Sequence, residues 1–151
     1  MSDQTARTEA TTLPWQGFHH LAMLTPDLDA TMHFYREVVG MTIAAVGPAD
    51  PLLGRDCIVT VGGEGTSHIH FFEHVGAQVQ PIDPEPDGPP PGGGIHHVAF
   101  GLPDEAAALA LRERLRAQGV PMTEIMDQGA FRDMLFRDNN GVLIEAAWST
   151  S

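Results

Sequence analysis

Four residues in this chain have the types and the places to hold a metal ion: His20, Glu73, His97 and Glu145. The segment HHLAMLTPD (19–27) returns as HHVAFGLPD (96–104), identical at five of nine positions. Each copy closes on an apolar strand that carries one carboxylate, Glu73 in FFE and Glu145 in LIE. Glu73 follows His20 by 53 positions and Glu145 follows His97 by 48, so each pair spans its own copy. Two histidines and two glutamates at matched places in two copies of one unit predict a metal site on a pseudo-twofold axis.

Strand parity separates the members of each His pair, because successive strand residues face opposite sides of a sheet. His20, Ala22 and Leu24 share one face, and His97, Ala99 and Gly101 share the corresponding one. The alternate faces, Leu21 with Met23 and Val98 with Phe100, are bulky and suit packing beneath a helix. His20 and His97 are therefore assigned to a cleft, and His19 and His96 to supporting or surface places. A carboxylate near the end of an apolar strand is costly to bury unless it is paired or bound to a cation. Imidazoles with one or two carboxylates suit one borderline divalent ion, Ni, Co, Mn, Zn or Fe. Oxygen ligands alone would suit Ca or Mg, and the lack of cysteine in the set argues against a closed structural zinc.

A rival set lies in HIHFFEH (68–74), a His-x-His of the kind cupins use, with Gly62 six residues before His68. Glu73 follows too early for that motif. Parity puts His68, His70 and His74 opposite Glu73, so these histidines are expected on a solvated or helix-covered face.

The elements that must position these residues follow from hydrophobic period and punctuation. Phe18–Thr25 reads as a strand, and Asp27 caps a helix that runs to Val39 and stops at Gly40. Leu28, Met32, Tyr35 and Val39 share one face of it. Three apolar runs follow, MTIAAV, CIVTV and IHFF. The second copy repeats the plan with a strand at 95–102, a helix at about 104–118, and strands near 121–126, 131–137 and 141–148. The turn DNNG (138–141) sets up the last of them. Residues 78–94 hold six prolines and four glycines and form an exposed linker. The expected organisation is an N-terminal arm (1–16), a first βαβββ module (17–77), the linker (78–94) and a second βαβββ module (95–148). The fold class is α+β, an open, cleft-forming mixed β-barrel with helices outside.

A net charge of −12, with only eight Lys and Arg, excludes a nucleic-acid partner. No run approaches the roughly 20 apolar residues that span a bilayer, so no membrane role is expected. A lone Cys57 and a polar N-terminus without a signal-peptide pattern make the cytoplasm the expected compartment.

HHLAMLTPDLDATMHFYREVVGM, HHVAFGLPD and FRDNNGVLIE together resemble the vicinal oxygen chelate superfamily, over roughly residues 17–148. That superfamily includes glyoxalase I, bleomycin- and fosfomycin-resistance proteins, extradiol dioxygenases and methylmalonyl-CoA epimerase. Its ligand lies seven residues before the helix-opening Asp, which is His20 before Asp27 and His97 before Asp104. The resemblance places Glu145 and Glu73 on the closing ligand positions of the two modules. It implies a substrate that chelates the ion through adjacent oxygens, and a homodimer.

The first functional reading is a glyoxalase-like lyase or isomerase, with Glu145 or Glu73 as general base. Glutathione-using relatives carry an Arg where this chain has Leu24 and an Asn where it has Ala77, which speaks against a glutathione substrate. The alternative is an Fe(II) extradiol-type dioxygenase on His20, His97 and Glu145. Ring-cleaving relatives place a His and a Tyr near the substrate, whereas the only tyrosine here, Tyr35, lies on the helix. A second alternative is a non-catalytic protein that binds a small molecule or drug. Arg132, Phe131 and Met134, in GAFRDMLF, are the candidate substrate contacts.

Overall fold

The computed structural model describes residues 13–63, 67–78 and 95–150. The arm at residues 1–12 and the linker at 79–94 lie outside the described residues. The first copy contains β1 (His20–Thr25), α1 (Leu28–His33) with a π-helical continuation (Phe34–Val39), β2 (Thr42–Val46), β3 (Asp56–Thr60) and β4 (His68–Glu73). The second contains β5 (Val98–Gly101), α2 (Glu105–Ala117), β6 (Met126–Asp127), β7 (Phe131–Arg137) and β8 (Leu143–Ser149). The sheets have matching orders, β1-β4-β3-β2 and β5-β8-β7-β6. In each, the first and last strands pair in parallel and the other neighbours are antiparallel. The duplicated α+β plan is present, as two four-stranded mixed sheets rather than a closed barrel.

The caps explain where the helices begin. Asp27 accepts from Ala30 N and Asp104 from Ala107 N, each satisfying an otherwise orphaned N–H of a first turn. Gly40 ends the first helix at φ 86°, a conformation that side chains with a Cβ resist. The apolar stripes pack as their spacing requires. Leu28, Tyr35, Val38, Leu111 and Leu115 are buried in one core with Cys57, Val59, Phe71, Met134, Phe136 and Trp148.

The second strand of the second copy is shorter than its sequence suggests. Instead of 121–126 there is a two-residue β6 and an isolated bridge between Met122 and Phe136. Pro121 has no N–H to give a ladder, and Thr123 instead bonds Leu135 through both its backbone and its hydroxyl.

The copies meet through their helices and one turn. Tyr35 donates its hydroxyl to Asp138 Oδ2 at 2.8 Å, and Asn139 Nδ2 donates to Thr31 Oγ1 at 3.0 Å. Arg114 on α2 donates to the carbonyls of Glu37 (2.7 Å) and Val38 (2.9 Å), where the helix of the first copy ends. Among the described residues no helix is long and apolar enough to cross a membrane.

Candidate metal centre

Register carries the parity argument from one strand to the next. In the second sheet Ala99 is the Cα partner of Glu145, so Glu145 shares the face of His97, Ala99 and Gly101. The side chains meet there: His97 Nε2 and Glu145 Oε2 are 2.8 Å apart. Glu145 is 8% exposed, whereas His97 is exposed. A carboxylate withdrawn from water beside an imidazole at the edge of a cavity is a donor pair that a divalent cation fits. His97 and His20 line one cavity of about 620 Å³, together with Phe18, Leu21, Val98 and Phe100. The structure thus brings His20 to the same cavity as His97, and His97 to Glu145, but the ligand atoms of His20, His97 and Glu145 do not all lie within 4.8 Å of one another.

The corresponding position in the first sheet is His70, not Glu73. Ala22 pairs with His70 as Ala99 pairs with Glu145. His20, His68 and His70 therefore share one face. The rings of His20 and His68 are stacked with centroids 5.2 Å apart, and those of His20 and His70 lie 6.4 Å apart. His68 and His70 lie opposite Glu73, as parity expects, and the register adds that His20 shares their half-buried face.

Glu73 pairs with Thr25, one step out of phase, and turns toward the helix. Its Oε2 accepts from Leu28 N at 2.9 Å and lies 3.6 Å from Arg55 Nη1. Arg55 in turn holds Asp29, whose carboxyl it keeps below the usual carboxylate range through a hydrogen bond and its charge. Glu73 sets its carboxyl group at the positive end of α1, and the structure does not bring it to His20. Glu73→Gln is expected to cost about 1 kcal/mol of stability, the scale of a helix-terminus charge, while leaving divalent-ion affinity within twofold. Denaturant unfolding and calorimetric titration with Mn(II) check the two halves of that expectation.

The substrate contacts divide in the same way. Leu135 is the partner of Glu145, so Phe131, Asp133, Leu135 and Arg137 share the glutamate's face. Phe131, 38% exposed, lies on that face. Arg132 and Met134 are on the other face, because each lies one step along the strand. Arg132 pairs with Glu105 at 2.8 Å and Asp127 at 3.7 Å, and Met134 is fully buried against the helix layer. Sequence reasoning missed Asp133, held by Gln128 at 3.1 Å, and Arg137, which donates to Gly141 O. Phase counted back from Glu145 through β8 to β7 would have found both.

Asp56 was missed as well. Its Oδ2 lies 2.6 Å from His70 Nε2, on the cleft face. His68 has its pKa lowered, first by burial and then by the neighbouring His20, His19 and His70. Burial pushes the Cys57 thiol up to about 11, so it stays protonated at neutral pH and offers no thiolate ligand. Tyr35 is buried against Asp138, with its pKa raised well above that of a free phenol by burial first and Asp138 second. It lies away from the cleft.

Comparison with known proteins bears on the fold and the family. MhqA of Bacillus subtilis (strain 168), named "Putative ring-cleaving dioxygenase MhqA", is 25% identical over 134 residues. That match covers 87% of this chain, which spans 39% of MhqA. A glyoxylase/bleomycin resistance protein/dioxygenase domain from Frankia sp. EAN1pec superposes with a TM-score of 0.73 at 21% identity, covering 91% of this chain and 94% of that one. A fosfomycin resistance protein FosX from Listeria monocytogenes, complexed with Mn(II) and 1S,2S-dihydroxypropylphosphonic acid, gives 0.62 at 20% identity over 87% and 91%. Lactoylglutathione lyase from Agrobacterium tumefaciens gives 0.61 at 20% over 90% and 96%. The model of the Glyoxalase/Bleomycin resistance protein/Dioxygenase superfamily matches residues 17–146, and the chain belongs to that superfamily.

Proposed function

We propose that the protein is a divalent-metal enzyme in which His20, His97 and Glu145 hold the ion, and that it opens the ring of a dihydroxyaromatic substrate with O2. The observation that carries this reading is the diversion of Glu73 to the N-terminus of α1. With it gone, the set is two histidines and one carboxylate, the composition of non-heme Fe(II) oxygenase sites. Similarity to MhqA supports the same class. When bound, the ion would supply Lewis acidity toward the chelating oxygens and, as Fe(II), redox capacity toward O2.

The chain's own residues do the rest. In the tautomer that donates Nε2–H to Asp56, His70 would offer its Nδ1 lone pair to accept a phenolic proton. Phe18 and Phe100 line the cavity, and their rings suit an aromatic substrate. Both atoms of O2 enter the product as the ring bond breaks, so no external reductant is required.

A second reading, the lyase or isomerase, is favoured by the His70–Asp56 pair, which is equally suited to take a proton beside a carbonyl. Anaerobically Fe(II)-loaded protein, given catechols and hydroquinones with 18O2, is expected to consume O2 and return a ring-opened acid carrying two labelled oxygens. Anaerobic turnover of α-hydroxycarbonyl compounds with Mn(II), Co(II) or Ni(II), without O2 uptake on the aromatics, would replace the first reading by the second. Tight binding of an aromatic with no turnover under either condition would identify a sequestering protein.

A further inference from the structure

The first module carries a cluster of imidazoles of which the proposed cleft centre uses only His20. One nitrogen of each of His19, His20 and His68 lies within 4.8 Å of the others. His19 Nδ1 and His20 Nδ1 are 2.8 Å apart, and the His19 and His68 rings meet edge-on at 5.6 Å. Backbone register fixes this adjacency, since His20 and His68 are Cα partners across β1 and β4. The side chains are exposed or half-buried, so they can turn and water can complete a coordination shell.

Duplication explains only part of the cluster. The second module repeats the His pair, with His96 Nδ1 and His97 Nδ1 again 2.8 Å apart. There Val98 pairs with Ile144, which aligns His97 with Leu143. The place of His68 is thus taken by a leucine. The third imidazole belongs to the first module alone.

We propose that His19, His20 and His68 form a second, imidazole-only transition-metal site, sharing His20 with the cleft centre, that takes Cu(II) in preference to Zn(II) or Ni(II). Three imidazoles without a thiolate or carboxylate follow the usual order of first-row affinities, in which Cu(II) binds most tightly. Nitrogens bound to one ion at about 2.1 Å stand roughly 3–4 Å apart, so small side-chain rotations close the set. His70, 6.4 Å from His20 and anchored by Asp56, stands behind the cluster as a carboxylate-fixed neighbour. Because His20 also belongs to the proposed cleft centre, an ion held here withdraws it from that centre. Only this competition rests on the functional reading; the three-imidazole site stands without it.

The test is a Cu(II) titration followed by calorimetry and electron paramagnetic resonance on wild type, His97→Ala, His19→Asn, and His97→Ala combined with His68→Leu. His97→Ala, with the cleft centre broken, is expected to keep one Cu(II) whose nitrogen hyperfine pattern reports three imidazoles. Adding His68→Leu, the residue of the second module, should weaken Cu(II) at least about tenfold, the lower end of what even an outer-shell loss costs, and remove one nitrogen. His19→Asn, at an exposed position where folding is not at risk, should do the same. Equal affinity and an unchanged spectrum in the His68 and His19 variants would overturn the proposal, as would loss of Cu(II) on His97→Ala alone. Mn(II) affinity measured in parallel on wild type and His97→Ala reports the cleft centre separately, so either site can fail without the other.

Discussion

Replacing Glu145 with glutamine is expected to lower divalent-ion affinity about 100-fold, near 2.7 kcal/mol, while leaving the apoprotein's melting temperature within about 2 °C. Glu145→Gln keeps the shape and one acceptor oxygen but removes the charge. An anionic oxygen is what the proposed set of two neutral imidazoles needs to hold a divalent cation. Outer-shell partners of metal ligands are commonly worth 10–100-fold in affinity, and a charged ligand itself belongs at the upper end. The apoprotein has little to lose, because the group is a buried carboxylate whose partner, His97, lies at an exposed edge. Titration calorimetry with Mn(II) and thermal denaturation of the metal-free protein separate these effects. Stoichiometric, undiminished binding by the variant would remove Glu145 from the ligand set.

Asp138→Ala is expected to cost about 4 kcal/mol of stability, since buried donors left unsatisfied cost roughly 1–3 kcal/mol each. Asp138 is fully buried and accepts from Tyr35 Oη (2.8 Å), Asn140 N (2.9 Å) and Val142 N (2.9 Å). Truncation strands all three and unties the turn from the helix of the other copy. The same residue predicts a pH dependence. Burial raises the Asp138 carboxyl above its usual value of 3.8, against the pull of its hydrogen bonds, of which that from Val142 is the largest. A carboxyl that is harder to ionise folded than unfolded binds more protons in the native state, so its contribution weakens as pH rises. The decline starts near the unfolded value and ends once pH has passed the folded one. Urea unfolding of wild type and Asp138→Asn from pH 3.5 upward should show wild type losing stability relative to the asparagine variant across this window. A parallel pH profile for the two proteins would show that Asp138 does not couple folding to protonation.

Much of this architecture is legible in one dimension. The repeated HH…PD marks the duplication, Asp27, Asp104 and Gly40 punctuate the helices, and alternation along β1 and β5 selects His20 and His97 for the exposed face. What a single strand cannot supply is its phase against its neighbour. Glu73 and His70 lie three residues apart on one strand, and only the pairing of β1 with β4 reveals which of them faces His20. Arg132 and Met134 fail as cleft residues for the same reason, because the phase of β7 is set by β8. The apolar face of a strand is visible in its letters. A histidine-rich strand such as HIHFFE has polar groups on one face that solvent, helix or cleft would each accept, so its letters leave the choice open.

The tie between Tyr35 and Asp138 also bears on the history of the duplication. Counted from the caps Asp27 and Asp104, the counterpart of Tyr35 is Arg112, which donates to Thr123 O within its own copy. Counted back from His70 and Glu145, the counterpart of Asp138 is Gly63, which has no carboxylate to offer. The bond therefore exists once per chain, not once per copy. A symmetric ancestor made of two identical halves would need the same residue to be both phenol and arginine, or both carboxylate and glycine. In one chain the two copies are free of that constraint, and here the second copy supplies the carboxylate and the first the phenol.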